Sequence, residues 1–104
     1  MGAVEVFKAF SDNVSHTTTL GITAFDLTDF GFTTDQIKKA TAMTLTVTGQ
    51  ICRYTLTGST PTVSGLGHVI AVGATIDVYG YNNLNNFKII SDVASATVTI
   101  TLYE

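Results

Sequence analysis

The side chains best suited to metal ligation, nucleophilic attack or proton transfer are few in this chain: two histidines, one cysteine and eight acids in 104 residues. His16 and His68 are too few for a His-based metal site unless Asp residues assist. Asp26-x-x-Asp29-x-Gly31 has a loose likeness to a calcium loop, but the alternating oxygen ligands and the distal bidentate Glu are missing. A bare loop is the expectation there. Around Ser59 a nucleophile elbow fails because Pro61 stands where its second glycine belongs. Gly65-Leu66-Gly67 neither continues to a third glycine at dinucleotide spacing nor opens a helix. Two acids could in principle meet in space as a glycosidase pair. All but Glu5 and Asp77, however, fall in turns or at chain ends, where solvation is the default. No catalytic, cofactor-binding or metal-binding residue is expected, and the chain reads as a non-enzyme.

Aromatic residues raise a different chemistry. Stacking platforms for sugars usually include Trp, and this chain has none. Tyr54, Tyr79, Tyr81 and Tyr103 could supply rings, although Tyr54 belongs to a core-facing row. Core filling and strand-edge packing is the preferred reading for them. Cys52, the single cysteine, has no internal disulfide partner and reads as a small buried hydrophobe.

These side chains must be positioned by something, and the composition says what. Apolar residues make up 45% of the chain, but charged ones only 12% against about 25% in an average soluble domain. Threonine fills much of the gap, and β-branched residues suit pleated, half-buried surfaces. The expected fold is all-β. A formal charge of −3 with five dispersed cations lacks the basic clustering that nucleic acid or anionic membrane requires. Neither partner is expected. So sparse a charge set leaves much of the exterior neutral, which suits a protein docked in an assembly. The N-terminus lacks the apolar stretch of a signal peptide, and no apolar run reaches membrane-spanning length.

Along the chain, residues 3–10 read as a first strand or arm (1–12) ending at the turn cluster Ser11-Asp12-Asn13, and 16–25 as a second strand. Residues 26–32 show no clean period. Thr33 and Gln36 have capping-box spacing, Asp35 lies in the first turn and Lys38 and Lys39 in the last, which predicts one short helix near 34–40. Thr44–Thr48 alternates strictly, and Gly49-Gln50 suggests a tight reversal into Ile51–Leu56. Thr57 to Thr62 is a turn, extended by Gly65 and Gly67. Strands follow at 68–72, 74–79 and 87–91, with a polar connection at 80–86. Ala96–Tyr103 alternates Val98, Ile100 and Leu102 inward against Thr97, Thr99 and Thr101 outward. Seven or eight short strands predict a single β-sandwich or jelly roll over 1–104.

From Ile51 onward the sequence resembles a small protein encoded among the structural genes of tailed bacteriophages. The matching residues are Ile51, Arg53, Tyr54, Leu56, Gly58, Pro61 and Thr62, then Gly67-His68-Val69-Ile70 and Gly73. After these come Asn86-Phe87-Lys88-Ile89-Ile90 and the Thr-rich Ala96–Leu102. Thr57 and Ala74 depart from the pattern, which has Asp there. The hairpin from Tyr54 to Thr62 is also similar to the C-terminal β-sandwich module of chitobiase-like glycosidases, but the downstream elements favour the phage family. The resemblance implies a virion component made in the host cytoplasm: a head decoration or cement protein. It would be present in many copies or as a homo-oligomer, on the major capsid protein or other virion proteins. Rival readings are a glycan-binding module, a tail or fibre adaptor and a host-directed inhibitor. Candidate partner-contact residues are Phe30 and Phe32, which otherwise cap the core. The others are Pro61 and Thr62 at the hairpin tip and Asn82, Asn83 and Asn85 in the polar connection.

Overall fold

The computed structural model describes residues 9–93 and 95–103, with side chains from Val14 onward. Two antiparallel sheets face each other. The first has the order β1-β7-β2-β5, from Ala9–Leu20, Ala96–Tyr103, Ala42–Thr48 and Thr75–Tyr79. The second has the order β4-β3-β6, from His68–Ile70, Cys52–Thr55 and Lys88–Ser91. The protein is a small β-sandwich, as the strand spacing predicts. Helix α1, Thr34–Lys39, carries the expected capping box: the Gln36 N–H donates to Thr33 Oγ1 at 3.1 Å and the Thr33 N–H to Gln36 Oε1 at 2.9 Å.

Strand β7 explains the core. Its burial alternates without a break, placing Ala96, Val98, Ile100 and Leu102 inside. It pairs with β1 on one side and β2 on the other, so Ile100 lies between His16 and Leu45, and Leu102 between Val14 and Met43. The other sheet answers with Cys52, Ile70 and Ile89, and Phe87 fills the space beside them, all within one buried cluster. Leu20, Leu27, Phe30, Phe32 and Ile37 close its open side.

Several connections differ from the sequence reading. Gly49-Gln50 makes no hairpin: β2 and β3 lie in different sheets, and the turn carries the chain across the sandwich. Gly49 has φ +90°, and a Cβ there would stand 3.0 Å from the Ser95 carbonyl oxygen, so the crossing runs hard against the β6–β7 turn. Among the named strands only β3 and β4 are both consecutive and hydrogen-bonded. The expected strand 16–25 stops at Leu20. Residues 21–25 then cross to β6, where Phe25 and Ile89 exchange backbone hydrogen bonds of 2.8 and 2.9 Å. That contact covers an edge that would otherwise invite pairing with another chain. The turn expected at 11–13 falls within β1, as a register irregularity between Ala9 and Val14. The polar connection contains a second helix, α2, Tyr81–Asn86, anchored by buried Leu84 and packed near α1. Leu84 supplied too faint a period to announce it. The first eight residues of the expected arm lie outside the described chain.

Among the described residues no helix is long and apolar enough to cross a membrane.

The two faces of β7 should respond differently to truncation. Ile100→Ala removes a fully buried side chain between two strands and is expected to cost about 2–5 kcal/mol. Thr99→Ala removes one outward hydroxyl bonded to Thr17 at 2.9 Å and should cost about 0.2–1 kcal/mol. Urea unfolding of both variants checks the contrast; equal losses would mean β7 is not centred in the core.

Candidate functional sites on the two outer faces

Among the described residues no three of His, Cys, Asp and Glu converge, and no buried side-chain polar atom lacks a hydrogen-bond partner. The distinctive chemistry lies on the two outer faces, which point in opposite directions.

The outer face of the β4-β3-β6 sheet is folded over by the long β3–β4 loop. Register places Ile90 and Val69 opposite Arg53 on that face. Ile90 is only 4% exposed yet lies outside the main core cluster, because the loop covers it. The loop is pinned by Arg53. Its Nε donates to both Asp92 carboxylate oxygens, at 2.9 and 3.2 Å, and its Nη1 to the Gly65 carbonyl at 3.3 Å. Asp92 also accepts the Ser64 N–H at 3.2 Å. Pro61 is buried beneath the loop, and at Gly67 a Cβ would sit 3.1 Å from Arg53 Cβ and 3.3 Å from Pro61 Cβ. With φ +125° as well, that position is closed to any side chain.

Around this pin stand exposed apolar groups. Val69 lies opposite Arg53 in the ladder, Val63 and Leu66 flank the Ser64 and Gly65 contacts, and Val93 follows Asp92. Ile51 belongs to the same patch, since its carbonyl accepts the Asp92 N–H at 3.0 Å. All five are between 42% and 57% exposed. A half-buried Arg–carboxylate pair ringed by aliphatic side chains has the anatomy of a protein-binding patch.

The pair also sets local electrostatics. Burial pushes the Asp92 carboxyl up, but the hydrogen bonds from Arg53 and Ser64, with the Arg53 charge, outweigh it and hold the group below its ordinary value of 3.8. Burial, reinforced by the Asp92 charge, pushes the Cys52 thiol up to about 11. A fully buried thiol so poised is a packing group and not a nucleophile.

The opposite face, of the β1-β7-β2-β5 sheet, is a hydroxyl surface laid out in rows. One row runs Ser15, Thr101, Thr44, Asp77; the next runs Thr17, Thr99, Thr46, Thr75. Lateral bonds tie neighbours: Ser15 to Thr101 at 2.9 Å, Thr46 to Thr75 at 3.0 Å, and Thr44 Oγ1 donating to Asp77 Oδ1 at 3.0 Å. At the end nearest the helices the rows close on Tyr103, Ala42 and Tyr79. Ala42, Met43, Thr44, Asp77, Tyr79 and Tyr103 line a notch of about 190 Å3 there. Backbone bonds hold its walls in place: the Thr41 N–H donates to the Tyr103 carbonyl at 2.8 Å, and the Gly80 N–H to the Thr41 carbonyl at 2.9 Å.

The residues singled out from sequence do not assemble. Phe30 and Phe32 are 4% and 2% exposed and serve the core, which corrects their assignment as partner anchors. Phe30 meets Phe25 edge to face at 5.9 Å, and Phe32 meets His16 at 4.5 Å; rings with that much apolar area go inside when a sandwich end needs closing. Pro61 is likewise corrected, being buried under its own loop. Thr62 is exposed, but its hydroxyl accepts the Leu66 N–H at 2.7 Å and shapes that loop. Asn82, Asn83 and Asn85 are exposed on α2, with Asn83 Nδ2 donating to the Tyr79 carbonyl at 2.9 Å. Sequence reasoning missed Arg53 with Asp92, 39 residues apart, and the placing of Tyr79 and Tyr103 on either side of Ala42. The isolated Arg in β3 was the one signal available for the first.

Fold and surface together define a small antiparallel β-sandwich with an ion-paired, apolar-rimmed patch on one outer face and hydroxyl rows ending in a notch on the other. No protein-family model matches the chain, and a search of curated proteins finds no match to it.

Two measurements check the electrostatics. A carboxyl held below its ordinary value binds protons less well when folded than when unfolded. Its contribution is therefore complete above about 3.8 and lost as pH falls through the lower folded value. Urea midpoints should fall across the acid range, and less steeply in Asp92→Asn, whose midpoint at neutral pH is already reduced. Cys52 should resist Ellman's reagent at neutral pH until denaturant is added; rapid native-state labelling would contradict its burial.

Proposed function

We propose that this chain is a non-enzymatic structural protein that docks on a larger protein assembly through the outer face of its β4-β3-β6 sheet. The observation that carries the reading is the ring of exposed Ile51, Val63, Leu66, Val69 and Val93 around the Arg53–Asp92 pair. Exposed aliphatic groups gain from leaving water at about 25 cal/mol per Å2. An Arg held in place by a partner carboxylate is a low-entropy anchor at the centre of such a patch. The low overall charge supports the same reading, since few ions need desolvating when the surface is covered.

The resemblance from Ile51 onward supplies the assembly: a bacteriophage head, with the major capsid protein as partner and this chain as a decoration or cement protein. Binding the assembled shell and not its free subunits would stabilise the shell by mass action. Six of the residues quoted for that resemblance, Ile51, Arg53, Pro61, Gly67, Val69 and Ile90, lie in or directly beneath the patch. The reading is therefore local to one face.

Mass spectrometry of gradient-purified virus particles should find the chain as a multi-copy component; its presence only in the soluble lysate would overturn the assignment. Val69→Asp and Leu66→Asp alter solvent-exposed positions. They should leave the unfolding midpoint nearly unchanged while weakening particle association at least tenfold, the equivalent of about 1.4 kcal/mol.

A further inference from the structure

Each sheet of an open sandwich ends in strands with one unbonded side. Native proteins blunt such edges with charge, proline, short length or a covering segment. Among the described strands, three of the four edges are blunted in these ways. β6 is covered by the Phe25 crossing, and β4 is only three residues long. On β5 the edge carries the Asp77 carboxylate, and the Tyr79 carbonyl already accepts from Asn83 Nδ2 at 2.9 Å. β1 has none of these devices: residues 14–20 include no Lys, Arg, Asp, Glu or Pro.

Hydrogen-bond alternation identifies the β1 groups on the open side. The Gly80 N–H donates to the Thr41 carbonyl at 2.9 Å, and the Val47 N–H to the Ala74 carbonyl at 3.1 Å. Odd-numbered residues of β2 therefore bond to β5, and even-numbered ones to β7. The same alternation in β7 turns its odd-numbered residues to β2 and its even-numbered ones to β1. Val14, His16 and Thr18 thus direct their backbone groups to β7. Ser15, Thr17 and Thr19 direct theirs away from the sheet, and among the described residues none bonds to them.

This edge is complementary to itself. An antiparallel copy related by a two-fold axis at Thr17 pairs Thr17 with its own equivalent, and Ser15 with the equivalent of Thr19. All three N–H and all three C=O groups of each edge are then satisfied. On the outer face the row Thr75, Thr46, Thr99, Thr17 continues into its own image, so threonine meets threonine across the seam. On the inner face Val14 meets the equivalent of Leu20, and His16 that of Thr18; Val14, His16 and Thr18 are each half-buried in a single copy. Asp77, the carboxylate ending one row, lies three strands from β1. That is about 14 Å, beyond the screening length of physiological salt. A foreign strand satisfies the backbone equally well, but the second copy also continues the hydroxyl row and matches the apolar contacts.

We propose that β1 is a dimerisation edge, on which a second copy of this chain pairs antiparallel about Thr17 to form one continuous eight-stranded sheet. The axis of such a pair runs normal to the sheet, so both outer faces of the β4-β3-β6 sheets point to the same side. On the docking reading of that face, the dimer engages two neighbouring sites at once and gains the avidity of a linked pair. The dimer itself does not rest on that reading. So short a seam is smaller than an obligate interface, which makes assembly concentration-dependent.

Sedimentation velocity of the full-length protein, from about 10 µM to about 1 mM, should show reversible exchange between monomer and dimer. Thr17→Pro removes an N–H that β7 does not use, so it should fold with a nearly unchanged urea midpoint and dimerise at least tenfold more weakly. Thr17→Lys places like charges face to face at the axis without touching the backbone, and should weaken the dimer to a similar degree. Amide exchange followed by NMR assigns the seam. In Thr17→Lys, Ser15 and Thr19 should exchange at least tenfold faster than in the parent dimer, while His16 and Thr18 stay protected. Val69→Asp, on the docking face, should leave dimerisation unchanged. A monomer at every concentration, a dimer indifferent to Thr17→Lys, or a dimer lost in Val69→Asp would overturn the proposal. A strictly monomeric chain that still associates with particles would sink the dimer and leave the docking reading in place.

Discussion

The structure depends on the insertion of the last described strand into the middle of a sheet. β7 completes the pairing of both β1 and β2, and its four inward residues Ala96, Val98, Ile100 and Leu102 are wholly buried. Without it β1 has no partner strand, and the β2–β5 pair loses the layer that faces Cys52, Phe87 and Ile89. The contacts involved are distant in sequence: Ser15 and Thr101 are 86 positions apart. Closing so long a loop is entropically costly before any reward is gained, which places this fold among the slower-folding β topologies.

That constraint also organises the surface. Because β7 is central, its outward row of Thr97, Thr99, Thr101 and Tyr103 forms the spine of one face, with hydroxyl rows from β1 and β2 on either side. Hydroxyl pairs satisfy one another laterally, so this face is mostly neutral and polar, with Asp77 at the end of one row. Tyr103 reaches the notch only because β7 ends beside Ala42, and Tyr79 only because β5 pairs with β2 in matching register. A one-residue slip would turn both rings into the core.

The other face is organised by a charge pair. Arg53 ties β3 to the β6–β7 turn and to the loop that covers Ile90. The ion pair is only partly exposed, 19% and 16% at its two side chains, so it is screened less than a surface pair and holds its geometry. The loop so held presents Val63 and Leu66 outward beside Val69. A hydrophobic surface on a defined scaffold is better suited to recognition than the same residues on a free loop, because less ordering entropy is lost on binding.

Much of the fold was legible in the residues. Thr-rich alternation announced β2 and β7, and the Thr33–Gln36 capping box announced α1 to within a residue, because both signals are local. The excess of β-branched residues and the shortage of charge were sufficient for an all-β domain with a neutral exterior. Which strands pair was not legible, since Gly49-Gln50 makes as good a hairpin as a crossing until the Ser95 carbonyl stands beside it. Nor could the sequence decide whether Phe30, Phe32 and Pro61 face a partner or the interior. Their apolar area suits either place, and only the space left at the sandwich end and beneath the β3–β4 loop determines it. The features of both outer faces are likewise tertiary: Arg53 meets Asp92, and Tyr79 and Tyr103 come to flank Ala42, through register between distant strands, and no local pattern encodes register.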